Sequence, residues 1–369
     1  MDFAQRPMLV FWETTRACQL ACRHCRASAQ PRALPGELSG AEGHALIDQV
    51  AGFGRPHPIL ILTGGDCLLR PDLFGLIGHA RSAGIPVALS PSVSPALDGA
   101  MIARIAASGV KAVSVSLDGA APATHDQIRG IPGHHADTVA AIRSLVAAGL
   151  PVQVNTTVMR ANAGELARVA ALLDSLRVHA WEVFFLVQTG RGTAEGAITP
   201  GEHEDVCHFL YDASQHGFVV RTVEAPFFRR VVAARRAGAP PPRRPLYQAL
   251  AGELHRLAGE PARRPRAHTA ATRDGKGIIF IGYNGDVYPA GFLPLALGNV
   301  RRQPLRAIYR EDPLLLAIRA ARFSGRCGYC PYADLCGGSR ARAYAACGDP
   351  LGQDPACPFQ PARTEPVPA

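Results

Sequence analysis

Residues 13–29 read ETTRACQLACRHCRASA and place Cys18, Cys22 and Cys25 inside eight positions. The spacing is C-x3-C-x2-C, with no fourth cysteine nearby. Structural zinc takes four ligands in a tetrahedron, and His24 could complete such a set only by crowding its neighbour Cys25. A redox dithiol needs only C-x-x-C and leaves Cys18 over. A 4Fe–4S cube takes one ligand per iron. Three cysteines leave one iron for a non-protein ligand, and an open iron can chelate the amino and carboxylate groups of a methionine-like molecule.

The cysteines follow a strand-like run, MLVFWET (8–14). Five similar runs come after it: PILILT (58–63), PVALS (86–90), AVSVSL (112–117), PVQVNTTV (151–158) and AWEVFFL (180–186). They are short and mostly apolar, as buried parallel strands are. Helical patterns separate them: GHALIDQVAGF, introduced by a Ser39–Glu42 capping box, then PDLFGLIGHARSAG, ALDGAMIARIAASG, ADTVAAIRSLVAAG and AGELARVAALLDSL. Alternation of this kind implies parallel pairing with right-handed crossovers. Six units are fewer than the eight of a closed barrel, which leaves a partial (β/α)6 barrel or a doubly wound sheet.

After about residue 190 the rhythm ends. Thr199 to His216 reads as one more helix with a Thr199–Glu202 capping box, and FVVRTVEAP (218–226) as one more strand. Residues 229–268 are rich in Arg, Pro and Ala and read as a linker or mobile surface segment. GIIFIGYNGDVYPAGF (277–292) reads as a hairpin turning at Asn284-Gly285, and PARTEPVPA (361–369) as a loose tail. The expected division is a barrel over 1–216, a linker and helical connection rich in Arg and Pro over 217–275, and a small cysteine-rich domain over 276–369.

The chain of 369 residues is long enough for two or three compact units. No apolar run reaches the roughly 18 residues of a membrane span, and the N-terminus lacks the features of a signal peptide. The expected location is cytoplasmic. Ten cysteines in a reducing compartment point to metal or redox chemistry rather than disulfides. Seven fall in two groups near the two ends, and Cys67, Cys207 and Cys347 are read as buried or incidental. The net charge of +9 is mostly arginine, and a GC-rich genome favouring Arg and Ala accounts for it better than an acidic partner. No aromatic-interleaved basic repeat suggests nucleic acid.

The three-cysteine group on the loop after the first strand resembles the radical S-adenosylmethionine (SAM) superfamily. The resemblance covers roughly residues 8–190. It implies SAM bound to a 4Fe–4S cluster held by Cys18, Cys22 and Cys25, and cleavage of SAM to methionine and a 5′-deoxyadenosyl radical. LTGGDCLLRPD (62–72) resembles the family's Gly-Gly-Glu-Pro segment, with Asp66 for Glu and Cys67 for Pro. Gly64 and Gly65 would then offer backbone carbonyls to the methionine ammonium. SVSLDG (114–119) brings Ser116 and Asp118 toward the ribose and methionine moieties, and Arg129 pairs with the SAM carboxylate in many relatives. His24, Asn155 and Val187 complete the implied cofactor contacts. A flavodoxin or ferredoxin is implied as low-potential electron donor. No residue is named as a catalytic acid, base or radical relay; His125, His134 and His135 fall either near the barrel mouth or on a solvated loop.

The second group, Cys327, Cys330, Cys336 and Cys357, has C-x2-C-x5-C-x20-C spacing. Four thiolates can close a cluster or hold zinc. The stretch resembles the SPASM or twitch extension of radical SAM enzymes, which carries auxiliary clusters. Ala290 stands where such extensions often have Tyr-Pro-Cys, so one auxiliary 4Fe–4S cluster is expected. CGGSRARAYAACGDPLGQDPAC (336–357) resembles the haem-synthase, tetrapyrrole-modifying branch, with Ser339 where several relatives have cysteine. Arg340 and Arg342 face substrate carboxylates on one reading and solvent on another. The implied activity is hydrogen abstraction from a small-molecule or tetrapyrrole substrate, with propionate decarboxylation or removal. The alternative is a radical SAM maturase of a ribosomal peptide, and a non-enzymatic reading is a zinc-stabilised scaffold. Replacing Cys22 with Ala is expected to abolish SAM cleavage, measured as deoxyadenosine released under reducing conditions.

Overall fold

A computed structural model describes residues 2–261, 263–267 and 272–362, so most of the expected tail lies outside the described residues. The six expected strands form as β1 (Leu9–Glu13), β2 (Ile59–Thr63), β3 (Val87–Leu89), β4 (Ala112–Ser116), β5 (Val152–Val158) and β6 (Ala180–Phe185). Each pairs in parallel with the next. A seventh, β7 (Val219–Val223), continues in parallel on β6. On the other side of β1 lies β8 (Ile278–Ile281), also parallel. The antiparallel β9 (Asp286–Tyr288) and β10 (Gly298–Asn299) complete a ten-stranded sheet, ordered β10-β9-β8-β1-β2-β3-β4-β5-β6-β7. The expected hairpin is present, and its first strand is part of the barrel sheet.

Strand alternation divides the sheet into two faces. Val10, Trp12, Leu60, Leu62, Leu89, Val113, Val154 and Val183 are fully buried, in one core with Leu46, Ile47 and Leu76 of the helices. The opposite face is less covered. It is apolar in β1 and β2, at Phe11 and Ile61, and from β4 to β7 it carries polar side chains beside Phe184, Val219 and Val223. There Ser116, Asn155, Glu182 and Arg221 stand side by side in register. A partial barrel leaves this inner face open, which is why polar side chains are tolerated on it.

Helices Gly40–Ala51, Leu73–Ser82, Gly99–Ser108, His134–Ala147 and Leu166–Ser175 lie where the apolar periodicity puts them. Both capping boxes form, with Ser39 and Thr199 each exchanging hydrogen bonds with the glutamate three residues on. Helix Pro122–Arg129 is additional; PATHDQIR lacks an apolar stripe to announce it. The segment after residue 229 is not a loose linker as far as residue 258. It forms helices Phe228–Arg236 and Pro245–Ala258, the second packing on Leu166–Ser175 and Pro200–Ala213. Arg230, Arg235 and Arg244 pair with Glu204, Asp212 and Asp205 at 2.5, 2.6 and 2.6 Å. Composition suggested solvated arginines, whereas these three clasp one helix.

Trp181 ties three strands together. It is fully buried, its Nε1–H donates to Thr156 Oγ1 at 2.9 Å, and that hydroxyl donates to Leu117 O at 2.7 Å. Phe209 and Phe218 meet it edge-on. Trp181→Ala is expected to destabilise the fold by about 3–5 kcal/mol, read as a lower urea midpoint.

Candidate active site

Cys18, Cys22 and Cys25 lie on the loop leaving β1, the first two buried and the third half-buried. Each sulfur faces a donor. The Leu20 N–H lies 3.4 Å from Cys18 Sγ, Arg129 Nη1 3.6 Å from Cys22 Sγ, and the Ala29 N–H 3.5 Å from Cys25 Sγ. Burial pushes the Cys18 thiol up, and its bonds from Leu20 and Ser92 oppose that. Donors aimed at sulfur suit thiolate ligands, and hydrogen bonds of this kind tune Fe–S clusters. The donor set fits a cluster with one iron left for another ligand.

Asp118, just beyond β4, organises the other side. It is fully buried. One oxygen accepts from the Thr157 N–H at 2.7 Å; the other lies 2.6 Å from Arg129 Nη2 and 3.6 Å from His24 Nε2. Burial opposes its ionisation, but Arg129, His24 and the Thr157 N–H outweigh burial and hold the carboxyl below its ordinary range. Arg129 is likewise held charged by Asp118 and Cys22 against the effect of burial. His24 is driven down to about 4, first by burial. The structure thus brings Cys22, His24, Asp118 and Arg129 together. It gives Arg129 a carboxylate partner within the chain.

Two histidines lock Asp118 in place. The Asp118 N–H donates to His125 Nδ1 at 3.0 Å, so the neutral ring carries its proton on Nε2. That proton is donated to His134 Nδ1 at 2.8 Å, and His134 Nε2–H donates to Val93 O at 2.8 Å. Both rings are buried, not part of a solvated loop. Burial pushes His125 down to about 3 and lowers His134. Sequence reading named these histidines without a partner, because the relay joins four separate segments.

Gly64 and Gly65 pack on the cysteine loop. A Cβ on Gly65 would lie 2.3 Å from Ala17 O, and one on Gly64 2.5 Å from Thr15 O. The Gly65 carbonyl accepts from Ser92 Oγ at 3.1 Å, so it already has a partner. Asp66 is fully buried and accepts from the Leu68 N–H, the Ser92 N–H and Ser94 Oγ at 3.1, 3.3 and 2.8 Å. Cys67 is buried in the core behind it. Ser116 and Asn155 lie in register on the inner face, where Asn155 Oδ1 accepts from Gln153 Nε2 at 2.9 Å. Val187 packs with Leu293 and Ala341, linking the end of β6 to the C-terminal region.

In that region Cys327, Cys330, Cys336 and Cys357 line one cavity. The Asp354 and Gly338 N–H groups donate to Cys327 Sγ and Cys336 Sγ at 3.5 and 3.4 Å. Four cysteines on one cavity are a donor set that fits a cluster. Cys347 stands apart, exposed, with its thiol donating to Ala343 O at 3.2 Å. Arg340 and Arg342 are buried, with partners within the chain. Arg340 is fully buried and donates to the Gly338, Pro350 and Gly352 carbonyls. Arg342 holds both Asp354 oxygens at 3.1 Å and the Glu224 carbonyl at 2.6 Å.

The chain is similar to known proteins in sequence and in fold. The sequence matches the radical SAM superfamily over residues 12–173 and an iron-sulfur cluster-binding domain, SPASM, over 273–331. It is 35% identical to the AdoMet-dependent heme synthase of Methanosarcina barkeri, over 97% of this chain and 98% of that one. The chain belongs to the radical SAM superfamily. Further radical SAM relatives are the pre-heme d1 synthase of Dinoroseobacter shibae, 30% identical over 96% of this chain and 88% of that one, and the mycofactocin maturase of Mycobacterium ulcerans, 30% identical over 95% and 88%. In fold it resembles SuiB of Streptococcus suis bound to S-adenosylmethionine, with TM-score 0.69, 14% identity, and 96% and 78% of the two chains covered. As a radical SAM enzyme it uses SAM with a 4Fe–4S cluster, and its SPASM domain an auxiliary Fe–S cluster. Among the described residues, no helix is long and apolar enough to cross a membrane.

The histidine relay makes stability depend on pH. His125 and His134 are neutral in the fold but take up protons near pH 6.5 when unfolded, so the unfolded chain binds more protons as pH falls. Stability is therefore expected to be full above about pH 7 and to decline from about pH 6.5 toward pH 3. Replacing His125 and His134 by Gln should flatten that decline in urea titrations across the range.

Proposed function

We propose that this radical SAM enzyme acts on a propionate-bearing tetrapyrrole, abstracting hydrogen beside a propionate so that carbon dioxide or the whole side chain leaves, the electron left over passing to an acceptor, a role the auxiliary cluster would fill when bound. The observation that carries this reading is the likeness to a heme synthase along almost the full length of both chains. The polar inner face of β4–β7, with Gln153, Asn155, Glu182 and Arg221, supports it by offering hydrogen bonds to a polar substrate.

In this reading Cys18, Cys22 and Cys25 hold the cluster that binds SAM. Cys327, Cys330, Cys336 and Cys357 hold the auxiliary 4Fe–4S cluster. Bound there, SAM and its cluster supply a hydrogen-abstracting 5′-deoxyadenosyl radical. Asp118 and Arg129 keep the Cys22 side of the loop fixed, and the His125–His134 relay fixes Asp118. Asp66 holds the loop at Ser92–Ser94, which borders Cys18 through Ser92 Oγ at 3.6 Å. Ser116 and Asn155 line the inner face beneath. A flavodoxin or ferredoxin delivers the electron, and the enzyme works in the cytoplasm.

A peptide substrate is the second reading, favoured by the likeness to a mycofactocin maturase. One anaerobic incubation separates the two: reconstituted protein, SAM, a strong reductant and iron-coproporphyrin, followed by mass spectrometry. The tetrapyrrole reading expects deoxyadenosine together with porphyrin that has lost carboxyl groups. Deoxyadenosine with intact porphyrin would reject this substrate and favour the peptide reading.

A further inference from the structure

Arg191 lies on the loop after β6, clamped onto the cysteine loop. Gly190 has φ +58, and a Cβ built on it would fall 2.3 Å from Arg26 O and 2.4 Å from Cys25 O. Only glycine permits so close an approach. The next N–H, that of Arg191, donates to Cys25 O at 3.0 Å. The backbone at Arg191 is thus fixed against the ligand loop by two consecutive residues.

The Arg191 side chain is half-buried, and its Nε and Nη2 are buried without a hydrogen-bond partner. Of the other arginines around the loop, Arg23 is exposed and three have counter-charges. Arg16 and Arg26 pair with Glu13 at 2.8 and 3.0 Å, and Arg129 with Asp118 at 2.6 Å. Arg191 makes no ion pair among the described residues. A desolvated cation without an acceptor is destabilising, and the natural remedy is an anion supplied from outside the chain. The planar guanidinium fork matches a carboxylate in two parallel hydrogen bonds.

The geometry points to Arg191 as the anchor of a ligand carboxylate at the cysteine loop. The carboxylate belongs either to the methionine part of SAM or to a propionate of the substrate. The second source rests on the tetrapyrrole reading above.

The test is equilibrium titration of reconstituted parent, Arg191→Gln and Arg191→Lys proteins of matched iron content. The probes are SAM, SAM lacking its carboxyl group, iron-coproporphyrin and its tetramethyl ester. Arg191→Gln is expected to bind SAM or iron-coproporphyrin about tenfold more weakly, with the carboxyl-free counterpart of that ligand binding parent and variant alike. Loss on the SAM arm assigns the cofactor carboxylate, and loss on the porphyrin arm the substrate propionate. Arg191→Lys should keep part of the affinity, and it carries the titrations if the Gln variant does not load iron. In cluster-free protein, Arg191→Gln should melt at the same or a higher temperature, because an uncompensated charge is gone. A lower melting temperature there would make Arg191 a structural residue and overturn the inference. So would affinities for both carboxylate ligands within twofold of the parent. A parent that binds no porphyrin rejects the tetrapyrrole reading alone, and the SAM arm then decides on Arg191.

Discussion

The ion pair between Asp118 and Arg129 is the constraint on which the site depends. A fully buried carboxylate is tolerable only if every oxygen is engaged, and here a backbone N–H and a guanidinium engage them. Asp118 leaves β4, Thr157 sits on β5, and Arg129 ends helix Pro122–Arg129. One pair therefore fixes the relative position of two strand ends and a helix. Arg129 then reaches across to Cys22, and His24 leans on the same carboxylate. Breaking the pair would leave a buried charge next to the cysteine ligands.

The two cysteine groups belong to one continuous scaffold. β8 pairs with β1, so the hairpin that opens the SPASM domain shares a sheet with the strand that leads into the first cysteines. Arg26, on the cysteine loop, stacks over Phe280 of β8 at 4.4 Å and pairs with Glu13 at the end of β1. Farther along, Val187 meets Leu293 and Ala341, and Arg342 holds both Asp354 and the carbonyl of Glu224 after β7. Rigid contacts of this kind set a fixed separation between the two clusters the chain is built to hold.

Much of the barrel was legible because buried parallel strands are short apolar runs and their helices carry a 3.6-residue stripe. The capping boxes were legible because they are local. Helix Pro122–Arg129 was not, since its polar sequence follows from the Asp118 pair and the histidine relay. The Arg- and Pro-rich stretch misled for a related reason: arginine counts as solvated until its carboxylate partner, such as Glu204 or Asp205, is brought beside it by folding. The gathering of the cysteines into two groups was legible from spacing. The buried partners of Arg340 and Arg342 were not, because carbonyls and a carboxylate meet those side chains only once the C-terminal segment has folded. Arg191 had no signal in the sequence, as only folding brings its backbone against Cys25.

The central claim is that the chain holds two clusters of different kind, one with an iron open to SAM and one closed by four cysteines. Electron paramagnetic resonance of the reduced, reconstituted protein, recorded with and without SAM, tests it directly. The account predicts two 4Fe–4S signals, of which one changes on adding SAM and the other does not. A single signal, or two signals that both ignore SAM, would contradict it.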